Sequence, residues 1–250
     1  MGISRRKFIP ILALGGAGIL FGGYFLTMTT RRMKPLEPVS NDESVDVFLI
    51  KTSDRNLGIK TLLNQFNLED YYGKTVALKA NFNSADPFPA STHPETFENL
   101  VKELKLAGAD QIVSADRSGI GDTRRVLEEL NILGLSKRLG FKMILLEDEG
   151  KDGWVKIKAN GTHWLNGFYI SKHFLTADKV VQTCCLKTHR FGGHFTMSLK
   201  NSIGLVAKRF PGELYDYMSE LHLSTYQRLM IAEVNRFYNV DFTVMDAIQA

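Results

Sequence analysis

Residues 178–190 read DKVVQTCCLKTHR. The first nine are an apolar run of strand length, Asp178–Leu186, rich in β-branched residues. A dense polar loop follows at once: Lys187, Thr188, His189, Arg190, Phe191, Gly192, Gly193 and His194. A strand buried on both faces and ending abruptly in such a loop is what a parallel sheet with a ligand crevice produces. The rest of the chain either fits that reading or breaks it.

Upstream, apolar runs of strand length occur at Val45–Lys51, Thr75–Ala80, Gln111–Ala115 and Lys142–Leu146. Helical spacing separates them. Asp54 is placed to cap a helix running to about Phe66. Pro94 suits a first helical turn, and Phe97, Leu100, Val101 and Leu104 follow on one face before Gly108. Asp122–Leu130 reads as a third helix. Trp154–Ala159 and Phe168–Ser171 alternate like short antiparallel strands. Downstream, Leu221–Tyr238 reads as helix and Val240–Met245 as a last strand. This alternation predicts an α/β domain over 45–250: a mainly parallel open sheet with helices on both faces.

Residues 1–44 belong to a different register of sequence. Ser4-Arg5-Arg6-Lys7-Phe8-Ile9 precedes a stretch, Ile9–Met28, with no charge and five glycines. A basic segment before an apolar one is an export pattern, and the Arg pair with Phe8 resembles a twin-arginine signal. An ordinary signal anchor with an incidental Arg pair is the alternative. As a helix, Phe8–Met28 would span about 31 Å, enough for a hydrocarbon core. No Ala-x-Ala cleavage site follows, so residues 1–30 are expected to remain as a transmembrane anchor. Residues 31–44, with two prolines, read as a tether. The expectation is a protein of the bacterial or archaeal cell envelope, carried by the twin-arginine machinery, with its domain on the outer side of the membrane.

Charge narrows the partners. Residues 1–32 hold five of the 31 basic side chains and none of the 27 acidic ones, leaving 26 basic against 27 acidic elsewhere. A nearly neutral domain lacks the basic surface that nucleic acid requires. The positive charge is instead local. Lys187, His189, Arg190, His194 and Lys200 fall within fourteen residues, with Gly192 and Gly193 allowing close backbone approach. That composition suits a small anionic ligand.

Two further loops follow strands. One carries Lys79, Asn81 and Asn83, then Thr92-His93-Pro94; the other begins Asp116-Arg117-Ser118. Candidate roles follow from side-chain chemistry. Lys187, His189 and Lys200 are candidate catalytic groups. Lys79, Asn81, Asn83, Arg190 and Asn201 are candidate anion-binding groups. His189 and His194, with Asp116 and Asp246, are candidate ligands of a divalent metal, although a five-residue spacing is not that of a helical zinc pair. His163 and His173 read as structural. Cys184 and Cys185 are adjacent in a strand and point to opposite faces, as small buried hydrophobes would. With two cysteines, the chain cannot by itself hold a four-cysteine iron–sulfur cluster. Walker A, GxGxxG, HExxH and GxSxG patterns are absent from the sequence.

Leu78-Lys79-Ala80-Asn81-Phe82-Asn83, Thr92-His93-Pro94, Gly108-Ala109, Leu186-Lys187-Thr188-His189, Ser198-Leu199-Lys200-Asn201 with Gly204, and Asp246-Ala247-Ile248 occur in this order. The set resembles the DUF362 family from about Val76 to the last residue. The resemblance implies an α/β domain of anaerobic or envelope settings, in many members joined to a ferredoxin-like iron–sulfur domain that is not seen here. It also implies a Gly-Pro-rich continuation after Asp246–Ile248, so the chain is expected to be C-terminally incomplete, and it brings a redox partner protein into view. Three functions remain open: an enzyme acting on a small anion with a metal or other cofactor, a non-catalytic envelope protein holding a ligand or cofactor, and an assembly factor at the membrane.

Overall fold

The computed structural model describes residues 45–188 and 195–248. The expected signal, anchor and tether within 1–44, and the candidates His189, Arg190 and His194, lie outside these residues. Among the described residues no helix is long and apolar enough to cross a membrane.

Five strands form one sheet: β1 (Thr75–Lys79), β2 (Gln111–Asp116), β3 (Lys142–Leu145), β6 (Lys179–Cys185) and β7 (Phe242–Asp246). Their order is β3-β2-β1-β6-β7, and every ladder is parallel. β4 (Trp154–Ile157) and β5 (Phe168–Ser171) pair antiparallel as a separate two-stranded unit. That is the expected excursion from the parallel pattern.

The helices are α1 (Arg55–Leu63), α2 (Pro94–Leu106), α3 (Thr123–Glu129), α4 (Ile132–Leu139), α5 (Lys172–Thr176), α6 (Ser198–Asn201), α7 (Tyr217–Leu223) and α8 (Gln227–Val234). Alternation along the strands feeds two cores. Val76, Leu78 and Val181 pack with α1 to α4 through Leu63, Phe97, Leu100, Leu127 and Leu135. Ala77 and Val180 face the other way, toward Phe168, Ile170, Phe174, Leu221 and Val234. The sheet is therefore covered on both sides, and its central strands are largely apolar because neither face meets water, with Gln182 and Thr183 buried among them.

Local signals account for most boundaries. Asp54 accepts the Leu57 amide at 2.9 Å and starts α1, and Asp122 does the same for α3 through Arg125 at 2.8 Å. Two expectations need correction, and helix α4 is additional to them. Val45–Ile50 forms no strand and enters no ladder among the described residues, and Val45, Val47 and Leu49 are exposed. Helix α4 follows α3 almost directly, because Asn131 adopts the left-handed conformation (φ 56°) that a short polar side chain tolerates. The single helix expected over Leu221–Tyr238 is two. Ser224 is extended, and its hydroxyl takes the Tyr226 amide at 3.0 Å, so the backbone turns between α7 and α8.

Topology positions the site. From β1 the chain steps outward through β2 to β3; from β6 it steps the opposite way to β7. β1 and β6 thus flank the point where strand order reverses, and the crevice beyond their carboxyl ends is where such sheets take ligands.

Candidate functional site

β1 and β2 end in a buried ion pair. Lys79 is 1% exposed, and its Nζ lies 2.9 Å from Asp116 Oδ1. The ammonium also donates to the Ala80 carbonyl. Asp116 further accepts the amides of Phe82 (2.9 Å) and Arg117 (2.8 Å). Burial pulls the Lys79 pKa down, and the Asp116 charge opposes that fall. Gly204 lies flat against the pair. A Cβ there would come within 2.8 Å of Asp116 Oδ1 and 2.9 Å of Lys79 Nζ. Lys79, expected to bind an anion, is committed to Asp116.

Asn81 and Asn83 stitch loops together. The Asn81 side chain donates to the Ala90 carbonyl at 2.9 Å, and its backbone exchanges hydrogen bonds with Thr92. The Asn83 carbonyl accepts the Gly119 and Ile120 amides, both at 3.1 Å. A Cβ on Gly119 would come within 2.3 Å of Asn83 Oδ1, so any larger residue there would have to displace the Asn83 side chain.

The β6 side carries cations of another kind. Lys187 is half-buried and donates to the Ala90 carbonyl, while its own carbonyl takes the Thr196 amide at 2.8 Å. That bridge ties the two ends of the 188–195 segment together. Asn201 spans the switch point. Its amide donates to Thr183 O (3.1 Å) and Lys79 O (3.4 Å), and its Oδ1 is buried without a partner among the described residues. Lys200, immediately before it, has no ion-pair partner among the described residues. Burial and then the charges of Arg117 and Lys187 push its pKa down, and no carboxylate offsets them.

Arg117 is a group that sequence reasoning passed over. It is 6% exposed, with Nε on Val206 O and a terminal nitrogen on Ile203 O, both at 3.1 Å. Burial lowers its pKa, opposed first by Asp116. Its place directly after Asp116 at a strand end was the available signal.

Asp246 closes the far side. Its Oδ2 accepts Arg55 Nε (2.8 Å) and Thr96 Oγ1 (2.6 Å), and its Oδ1 accepts the Ile248 amide at 3.2 Å. Asp116 and Asp246 end strands three positions apart, about 14 Å at the usual strand spacing. Each has its own cationic partner, so the two do not fit a shared divalent metal. No group of three or more His, Cys, Asp or Glu side chains poised for a metal occurs among the described residues. His93 caps α2 with Nδ1, accepting the Glu95 amide at 3.2 Å. Burial, then Arg55, lowers its pKa, so the ring is held neutral. His163 and His173 each bond a glutamate, Glu233 and Glu149. Cys184 and Cys185 are free and buried, and burial pushes their thiols up to about 12 and about 11.

Size does not pick out this crevice. An open depression of about 660 Å³ lies along edge strand β3, lined by Arg124, Lys142 and Asp148 among others. Its named charged groups are exposed, whereas the switch point gathers buried cations whose pKa values burial lowers. Convergent chemistry is the better guide.

The fold is similar to that of the lactate racemase apoprotein from Thermoanaerobacterium thermosaccharolyticum, with a TM-score of 0.51 and 16% identity. The match covers 77% of this chain and 48% of that one, so the chain spans about half the length of that protein. At such identity the likeness concerns the fold alone. No curated protein matches the sequence. The model of the domain of unknown function DUF362 matches residues 76–250, from the first buried residues of β1 to the end of the chain, and the protein belongs to that family.

Proposed function

We propose that the protein binds a small carboxylate- or phosphate-bearing ligand in the crevice beyond β1 and β6, and acts on it as an enzyme assisted by a cofactor or metal. One observation carries the reading: Lys200 and Lys187 stand half-buried at the switch point with no carboxylate paired to either among the described residues. Burying a cation without a counter-ion is costly, and a bound anion removes the cost. The ammonium of Lys187 has hydrogens to spare beyond the one on Ala90. Asn201, anchored to both central strands, fixes the backbone from which Lys200 projects. The fold relative is a lactate racemase, and lactate is a carboxylate of the size this reading calls for.

Metal assistance would draw on His189 and His194, with Arg190 as a further anion contact. A non-catalytic envelope protein that holds a ligand or cofactor would use the same cations. It is favoured by the fact that Asp116 and Asp246 are both ion-paired and so are poor general bases. The export pattern of residues 1–30 supports placing the domain outside the membrane that it would be anchored to.

The test is a thermal-shift series with oxalate, lactate and phosphate on the full chain, beside elemental analysis of protein purified without chelator. Oxalate is expected to raise the melting temperature of the wild type and to do little for Lys187→Met or Lys200→Met. An undiminished shift in both variants refutes the site. A stoichiometric metal lost on replacing His189 and His194 favours the enzyme; a metal-free protein with the same oxalate response favours the binding role.

A further inference from the structure

Among the described residues, Lys200 differs from the other cations of the crevice in lacking an ion-pair or carbonyl partner. Lys79 is fixed on Asp116, Arg117 on the Ile203 and Val206 carbonyls, and Lys187 on the Ala90 carbonyl. Lys200 has no ion-pair partner among the described residues.

Its backbone is nevertheless firmly braced. Asn201 is tied to Lys79 O and Thr183 O. Ser202 Oγ donates to Leu199 O at 2.5 Å, and the Asn235 side chain reaches Leu199 O at 3.0 Å and Ser202 Oγ at 2.9 Å. Gly204 seats the following turn on the Lys79–Asp116 pair. A rigid mount under an uncommitted amine is a poor arrangement for a charge that merely attracts anions, since a flexible side chain would do that as well. It suits an amine that must meet a particular atom.

We infer that Lys200 is a nucleophile that forms an imine with a small 2-oxo acid, whose carboxylate is held by Lys187. This rests on the anion-site reading above and narrows its ligand to a carboxylate with an adjacent carbonyl. In the step, the neutral Nζ of Lys200 adds to the carbonyl carbon, forming a C–N bond while the carbonyl oxygen takes a proton. Loss of that oxygen as water breaks the C–O bond and leaves a protonated C=N linkage. One proton is taken up, one water leaves, and no oxidant or reductant is required. Burial, and then the neighbouring charges of Arg117 and Lys187, favour the neutral amine that the addition needs. Once formed, the iminium carries the positive charge and draws electrons from the adjacent carbon.

The probe is pyruvate with cyanoborohydride, which reduces the imine to a stable amine, followed by peptide mass mapping of the full-length protein. Lys200 is expected to be labelled on the order of tenfold faster than exposed lysines such as Lys102 and Lys137, because its amine is half-buried, unpaired among the described residues and held lower in pKa by burial. Oxalate should slow the labelling, and Lys187→Met should slow it further. Lys200→Arg keeps the charge without a nucleophilic amine and should abolish the adduct. Labelling of Lys200 no faster than of exposed lysines overturns the proposal, and so does a persistent adduct elsewhere in the crevice of the Lys200→Arg variant. The two readings fail separately. Stabilisation by oxalate without an adduct removes the imine and leaves the anion site; no response to oxalate removes both.

Discussion

Two lysines at the head of the same crevice have opposite fates. Lys79 at the end of β1 is sealed from solvent and locked on Asp116, with Gly204 closing over both. Lys200 sits across the switch point, half-buried, with two cations for neighbours and no carboxylate to balance them among the described residues. In both, burial lowers the pKa, so that shift alone does not separate them. The partner does. A buried cation with a fixed counter-ion is architecture, and one without favours the charge of an incoming anion.

The contrast breaks most sharply at the pair. Asp116→Asn leaves Lys79 buried and uncompensated, and should cost about 3–5 kcal/mol in urea unfolding. Lys79→Met with Asp116→Asn should cost distinctly less than the two single losses added together, because no stranded charge remains. Strict additivity would mean that the pair is not the unit described here. Gly204→Ala comes next. Its new methyl must displace an Asp116 oxygen and the Lys79 ammonium, an overpacking cost of about 1–3 kcal/mol. An Ala variant as stable as the wild type would show that the turn at 202–205 yields easily, which would also weaken the case for a rigid mount under Lys200.

Much of the frame was legible because it depends on local rules. The apolar runs at 75–80, 111–115 and 178–186 are strands within a residue or so, since a strand buried on both faces needs unbroken apolar sequence. The caps at Asp54 and Asp122 are the residues chemistry prefers. Strand order was not legible, and with it went the distinction between the lysines. Sequence places Lys79 and Asp116 thirty-seven residues apart at the ends of two strands. Only the parallel register of β1 on β2 turns them into an ion pair. Asp116 and Asp246 look interchangeable as metal ligands for the same reason, until the sheet sets them on either side of β1 and β6. The α7–α8 break leaves no mark in the apolar spacing, which stays helical, because Ser224 acts through its own hydroxyl on Tyr226.

The smallest expected effect tests the other half of the comparison, and its sign is the reverse of the first. The folded-state pKa of Lys200 lies below the ordinary lysine value of 10.5. Between those two values the unfolded chain holds a proton that the folded chain has released, so stability contributed through this residue rises with pH across that window. Below the window, both states are protonated and the fold bears the full cost of the confined charge. Lys200→Met removes that cost and should stabilise the ligand-free protein below that window by about 1 kcal/mol, while its response to oxalate disappears. Melts repeated at rising pH should show this advantage shrinking as wild-type Lys200 loses its proton. Lys187, whose pKa is also lowered by burial, is present in both proteins and cancels from the difference. Should Lys200→Met instead lose several kcal/mol, as Asp116→Asn is expected to, Lys200 would join Lys79 as architecture, and Lys187 alone would be left among the described residues to recognise an anion.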